Sequence, residues 1–398
     1  MKKPELLIPA GNLEKLKVAC MYGADAVFLG GYEFGLRSSS DNFSLEDIKE
    51  GVEFANQYGV KIYVTTNIYA HEENIKGFKE FVQEIEKIGV TGIIVSDPAY
   101  IYIAQEFAPK LEIHISTQQS ITNSEAVNFF EKIGADRVVL ARELTIEEIK
   151  KIKQNTNIEL EIFIHGAVCS SFSGRCTLSN HLTMRDSNRG GCCQSCRWNF
   201  ELTNKNKSFG EDFSMSAKDM NVLNYLPEIL KLNVDSLKVE GRMKSLNYVA
   251  TVTKIYRVAI DSYFNDKKNF IVKQEWIDEL KKAESRETYI GALKGDFSEK
   301  DQIFNEQYQE KEYDFCGYVI KTEEDNIIIR QKNYFDINDE LEFFNPKGEN
   351  ITIKNFELFN IDNESITKAN HPEMIVKIPA NINVDIYTII RKKNQKML

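Results

Sequence analysis

The chain has 398 residues, which at about 150 residues per domain allows two or three domains, or one α/β barrel of roughly 250 residues with an appendage. With 42% hydrophobic and 28% charged residues, disorder and collagen-like structure are excluded and a sizeable core is affordable. The net charge of −10 excludes a surface coated in basic residues for non-specific nucleic-acid binding, while leaving room for a local basic groove.

No apolar run approaches the roughly 20 residues that span a bilayer. The start MKKPELLIPAGNLEKL reaches charged residues too soon for a signal peptide, so a cytoplasmic protein with no membrane partner is expected. Taken in chain order, short aliphatic or β-branched runs at 5–9, 26–30, 61–66, 92–96, 112–116, 137–141, 159–165 and 236–240 read as strands. Amphipathic patterns at 45–58, 75–88, 124–133, 146–153 and 245–261 read as helices between or after them. Near-continuously apolar strands in eight β/α alternations predict an α/β fold, a TIM-like (β/α)8 barrel over 1–265. An open doubly wound sheet is the alternative, but GGYEFG at Gly30 to Gly35 lacks the spacing of a dinucleotide-binding turn.

Strand seven is followed by an excursion over about 166–235, and loops after barrel strands build the site. A helical piece at 275–283 and a polar stretch make 266–311 a helical segment and linker. From 312 to 398, β-type runs at 313–321, 326–331, 340–344, 351–358, 374–378 and 384–391, with no helix between them, predict a small antiparallel all-β barrel domain.

Of seven cysteines, Cys20 and Cys316 stand alone, whereas Cys169, Cys176, Cys192, Cys193 and Cys196 lie in the insertion. Such clustering in a cytosolic chain indicates metal or redox chemistry rather than disulfides. Cys169, Cys176, Cys192 and Cys196 suffice as four thiolates for zinc or for an iron–sulfur cluster. Six residues separate Cys169 from Cys176, wider than the usual zinc loop, which favours iron–sulfur. Cys193 is either a spare thiol or a replacement for Cys192. Arg175, Arg189 and Arg197 lie close in sequence and would favour thiolates.

Several segments together carry a resemblance: Leu7-Ile-Pro-Ala-Gly-Asn, Glu161-Ile-Phe-Ile-His-Gly-Ala-Val-Cys169, Ser173-Gly-Arg-Cys176, Met184-Arg-Asp-Ser-Asn-Arg-Gly190, Cys192-Cys-Gln-Ser-Cys-Arg-Trp198, Ser216-Ala-Lys-Asp-Met220 and Leu237-Lys-Val-Glu-Gly-Arg-Met-Lys244. In this order, over most of the first 260 residues, they resemble the collagenase-like peptidases of family U32. Within that family the chain is most similar to the branch that hydroxylates wobble uridine of tRNA to 5-hydroxyuridine. The resemblance implies a tRNA uridine hydroxylase that works without dioxygen and has tRNA as partner. It also implies a [4Fe-4S] cluster on Cys169, Cys176, Cys192 and Cys196, and prephenate as the small-molecule hydroxyl donor. The chain departs from the family where a short Arg-containing motif with a Thr-Thr-Gly turn is expected, and has Ser285-Arg-Glu-Thr-Tyr-Ile-Gly291 instead.

A donor with two carboxylates calls for Arg forks. Arg142, Arg185, Arg189 and Arg242 are placed by the strand count towards the active face, with Lys218 as a further substrate-binding candidate. His165, Asp219 and Glu240 are the candidate catalytic acid/base groups. For His165 a packed core histidine is an equal alternative, and His114, inside an apolar strand, is read as structural. Asn67 and Gln118 end strands and are placed to read a base edge. Lys392, Lys393 and Lys396 form a basic tail, read first as a solvated terminus. Two other function classes compete. A peptidase would follow the family's name, although His71-Glu-Glu-Asn lacks the second His of a zinc protease helix and no Gly-x-Ser-x-Gly occurs. The other is a non-catalytic RNA-binding or assembly module with a structural metal centre.

Overall fold

The computed structural model describes residues 2–36, 42–204, 207–284, 286–295, 298–303, 312–323 and 325–394, apart from the side chains of 208–212. Eight parallel strands form the first unit: β1 (Glu5–Pro9), β2 (Ala26–Gly30), β3 (Lys61–Thr66), β4 (Gly92–Val95), β5 (Glu112–Ile115), β6 (Arg137–Val139), β7 (Glu159–Gly166) and β8 (Ser236–Val239). Each pairs with the next, and β8 pairs with both β7 and β1, which closes the barrel. Helices α1 (Leu13–Met21), α2 (Leu45–Tyr58), α3 (Phe78–Ile88), α4 (Pro98–Phe107), α5 (Ser124–Lys132), α6 (Ile146–Gln154), α7 (Leu226–Lys231) and α8 (Leu246–Asn265) follow the strands in turn.

Outward strand residues such as Leu6, Ile8, Val27, Leu29, Leu160, Ile162 and Leu237 pack against these helices in one core, which is why the strands read as apolar. The inward face is different. Arg137 is 2% exposed and donates to Glu5, Glu159 and Glu161. Lys238 lies 2.7 Å from the other oxygen of the fully buried Glu161. Burial would raise the Glu161 carboxyl, but the Lys238 and Arg137 charges outweigh it and hold it at about 2. Above this ionic floor sit Leu7, Ala26, Phe28, Tyr63 and Ile94.

The pattern at 75–88, expected as one helix, is two, Glu72–Ile75 and Phe78–Ile88. Gly77 between them has φ 85°, a left-handed conformation that glycine adopts at low cost and that no helix continues through. The stretch expected as a linker is also partly ordered onto the barrel. After α9 (Gln274–Lys281), Thr288–Tyr289 pairs with Asp219–Met220, and Gln302–Ile303 pairs with Ser216–Ala217. Residues 304–311 lie outside the described set.

The C-terminal domain is antiparallel and all-β. Its main strands are β9 (Tyr313–Glu323), β10 (Asn326–Gln331), β11 (Leu341–Phe344), β12 (Ile351–Ile353), β13 (Leu358–Asn360), β14 (Ile375–Pro379) and β15 (Ile389–Lys393), in the sheet order β12-β11-β15-β9-β10-β14-β13. The run at 351–358 divides into two strands around Asn355 (φ 52°), and the run at 384–391 begins its strand at Ile389 because Tyr387 (φ 60°) interrupts it. The domain docks on the barrel through α1, α8 and α9. The Tyr22 hydroxyl donates to the Phe344 carbonyl at 2.6 Å, Lys254 to the Asn345 carbonyl at 2.7 Å, and the buried Arg391 pairs with Glu342 and with Glu279 of α9.

Candidate functional site

The carboxyl ends of the barrel strands form a polar mouth. Arg142, just past β6, is its centre: the guanidinium stacks 3.9 Å over the Phe163 ring of β7, lies 3.8 Å from Glu240 after β8 and reaches within 4.0 Å of the Cys169 sulfur. A cation held on an aromatic face by one carboxylate keeps donors over to meet an anionic ligand. The next residue, Glu143, accepts from both the backbone N–H and the hydroxyl of Ser173, each at 2.8 Å, and so fastens the loop between Cys169 and Cys176 to the end of β6. No periodicity in the sequence marks Glu143 or Phe163 for these roles.

Gly166 ends β7 at φ 102°, where a Cβ would stand 2.0 Å from the Glu240 carbonyl. Only glycine lets the two strand ends cross this closely, and the crossing brings Glu240 beside Arg142 while the chain leaves for the cysteine lobe. In that lobe the short helix Leu178–Thr183 packs on the turn Ser195–Arg197, and the Cys176 carbonyl accepts from Ser187 at 2.6 Å and Asn188 at 3.1 Å. The Cys196 thiol is raised above its ordinary range, first by burial and then by the charges that Cys169, Cys192 and Cys176 would carry. Cys169 and Cys192 are exposed, Cys176 and Cys196 half-buried. Cys193 faces instead Ser179 (3.4 Å) and Thr183 (3.6 Å), whose hydroxyls help draw its thiol down to about 7.

Among the described residues no three His, Cys, Asp or Glu side chains close on a point that a single metal ion would occupy. Zinc thiolates at 2.3 Å from one ion would lie about 4 Å apart. Of the four thiols, Cys196 is the one whose range the other three displace.

A second polar group lies beside β7. His165 is 1% exposed and turned to α8, with Nδ1 3.3 Å from the Tyr256 hydroxyl. Burial keeps it neutral, its basicity lowered to about 3. Its Nε2 lies 3.9 Å from Glu284, a residue the sequence did not single out. Glu284 accepts from Asn221 at 3.0 Å, and burial raises its carboxyl to about 7. Asp219 holds Lys244 at 2.7 Å with Arg286 at 3.8 Å, and Lys218 pairs with Glu287 at 2.7 Å.

The structure thus brings Arg142, Glu240 and Cys169 together, and places His165, Asp219 and Lys218 in or beside this neighbouring group. Arg242 is 4% exposed and donates to the Leu36 carbonyl (3.2 Å), Asn42 (2.8 Å) and Thr65 (3.5 Å), fastening the loop after β2 rather than meeting Arg142. Arg189 pairs with Glu73 and donates to Asn74 at 2.8 Å, and Arg185 is exposed on the lobe. Asn67 donates to Ser116 at 3.4 Å, while the Gln118 side-chain oxygen is buried with no hydrogen bond among the described residues. His114 is buried against Tyr63, 3.2 Å from Glu112. Lys392 pairs with Asp339 at 2.8 Å, Lys393 is exposed, and Lys396 and Ser285 lie outside the described residues. No helix of the described residues is long and apolar enough to cross a membrane.

Residues 11–302 match the model of "Peptidase family U32" and residues 311–391 that of the "Peptidase family U32 C-terminal domain". The chain is 48% identical to tRNA hydroxylation protein P1 of Bacillus subtilis (strain 168), over 98% of this chain and 95% of that protein. It is 37% identical to a 23S rRNA 5-hydroxycytidine synthase of Escherichia coli (strain K12), over 66% of this chain and 40% of that protein. Similarity extends to a collagenase of Porphyromonas gingivalis, 34% identical over 66% of each chain. A closed barrel with its cysteine lobe after β7, an all-β domain behind it, and matches running through both identify the chain as a member of peptidase family U32.

Proposed function

We propose that the chain is an RNA-modifying enzyme that hydroxylates wobble uridine of tRNA to 5-hydroxyuridine without dioxygen. The observation that carries this reading is Arg142, held over Phe163 and beside Glu240 at the barrel mouth, with the thiol of Cys169 from the cysteine lobe in reach. The names of the relatives, which include tRNA hydroxylation proteins and an rRNA hydroxycytidine synthase, support the substrate class.

A donor set of thiols alone suits a [4Fe-4S] cluster, which Cys169, Cys176, Cys192 and Cys196 would hold. With each iron held by a thiolate, such a cluster would supply electron transfer. Arg142 binds a carboxylate of the donor, for which prephenate is the proposed molecule, and Phe163 and Glu240 fix the fork that does so. Glu240 is also placed to hold a proton at the mouth, and the buried Gln118 oxygen to accept from a base edge. Lys238, Glu161 and Arg137 fill the opposite end of the barrel with paired charges.

The peptidase reading finds less support: among the described residues no hydrogen bond joins a cysteine thiol to a histidine, and His165 faces helix α8. The test is mass spectrometry of tRNA nucleosides from cells with and without the gene. Loss of 5-hydroxyuridine derivatives is expected, and unchanged levels where no redundant enzyme exists reject the reading. C176A should lose both iron and modification, and full activity in that variant would reject the ligand set.

A further inference from the structure

The lobe bears a feature that the hydroxylation chemistry does not use. Met184, the left-handed cap (φ 56°) that ends the helix Leu178–Thr183 with its N–H on the Asn180 carbonyl, leaves its side chain 92% exposed. Trp198, Phe172 and Leu182 are likewise 43%, 47% and 46% exposed. Their common scaffold is the cysteine lobe, where the helix carrying Leu182 packs on the turn that ends at Trp198. Four large apolar side chains exposed on one short segment, 172–198, mark a surface that binds something.

The charge of the lobe points to the partner. Between residues 167 and 200 there are four Arg, no Lys, one Asp and no Glu, and with Arg189 paired to Glu73 outside the lobe, Arg175, Arg185 and Arg197 are the ones that count. Arg185 and Arg175 are exposed, and Arg197 is half-buried beside Trp198. Interleaved guanidinium groups and flat apolar side chains match the chemistry of an unpaired nucleic-acid strand: guanidinium forks meet phosphates, and aromatic faces stack bases splayed out of a helix. A duplex, with its bases stacked internally, would leave Trp198 and Met184 without partners.

Resting on the proposed tRNA reading, we infer that the outer face of the cysteine lobe, centred on Trp198, Met184 and Arg185, is a docking platform for a single-stranded RNA loop. It holds the loop by stacking and phosphate contacts while one base enters the mouth at Arg142. A platform on the lobe places the binding surface within a few residues of the thiols, which accounts for the exposed apolar side chains found there.

The test measures binding of a fluorescent RNA stem–loop, and of a blunt duplex of the same stem, to the full chain purified without oxygen. W198A and R185Q should each weaken stem–loop binding roughly tenfold. W198F should bind close to wild type, and R185Q should also reduce the slope of log affinity against log salt by about 0.7. M184G gives a readout that a purely structural role would not: thermal stability unchanged or higher, with weaker RNA binding. Iron content equal to wild type shows that the centre is intact; R185Q and M184G, further from a cysteine, decide the matter if W198A loses iron. Unchanged stem–loop binding in R185Q and M184G, or equal affinity for the duplex, overturns the platform. If such variants also modify tRNA as wild type does, the platform alone fails. If deletion of the gene leaves 5-hydroxyuridine untouched, the enzymatic reading fails. If lobe variants bind RNA normally but no longer co-purify with a protein partner, the surface is a protein interface.

Discussion

Glu284 is the residue whose replacement has the most calculable effect. It enters the His165 pocket from the segment after α9, with its carboxyl 3.9 Å from His165 and within 3.0 Å of Asn221. Burial is the leading cause of its rise to about 7, with the Asp219 charge adding to it. In the unfolded chain a Glu carboxyl loses its proton near pH 4.3. Between that value and about 7 the native state binds the extra proton, so stability falls as pH rises; a displacement of this size corresponds to at most about 4 kcal/mol once both states have ionised, less where solvent reaches the carboxyl. E284Q retains an oxygen to accept from Asn221 and has no proton to lose. It should therefore match wild type near pH 4 and exceed it by about 2–3 kcal/mol near pH 8. The measurement is urea unfolding followed by fluorescence of Trp276, buried on α9 two turns before Glu284. His165 acts in the opposite sense, because its folded-state basicity is lowered to about 3; its contribution is present above the unfolded value near 6.5 and is lost as pH falls towards 3. H165Q should remove that acid-side loss and leave the E284Q difference near pH 8 in place. An E284Q variant no more stable than wild type at alkaline pH would refute burial as the cause.

Other predictions are more local. R142K keeps the charge but loses the fork over Phe163, so donor binding should weaken by about 1.5–3 kcal/mol, roughly tenfold to a hundredfold in apparent Kd, with little change in Tm; wild-type donor affinity would contradict the carboxylate role. E161Q leaves Lys238 and Arg137 in a buried site without their shared carboxylate and should cost about 3–5 kcal/mol, read as a lower urea midpoint; a neutral result would mean that water relaxes into the barrel floor. G166A must move the Glu240 carbonyl or break the β7–β8 crossing, so loss of soluble protein or a lower Tm is expected, and an equally stable variant would show that the crossing is not needed.

Local pattern was sufficient for much of the fold. Eight apolar strands separated by amphipathic helices could be read because each outward residue meets a helix, so apolarity follows the secondary-structure period. The cysteine lobe could be located because its spacing and its place after β7 are local facts. What sequence left open were matters of pairing between residues far apart in the chain. Arg142 and Arg242 look alike as arginines after strands, yet one faces the mouth beside Glu240 and the other is enclosed by Leu36, Asn42 and Thr65. His165 ends a strand that leads to the cysteines, yet the bulge between Lys238 and Val239 accompanies a turn of its ring towards α8. The polar stretch after α9 reads as linker because its contacts, Glu284 with Asn221 and Thr288 with Asp219, lie more than sixty residues away. Hydrophobic period and residue spacing thus determined the barrel, the lobe and the separate β domain, for these depend on neighbours along the chain. Only tertiary structure decided which charges are held by partners and which face the mouth, because burial and partner geometry are set by strand crossings that local sequence does not encode.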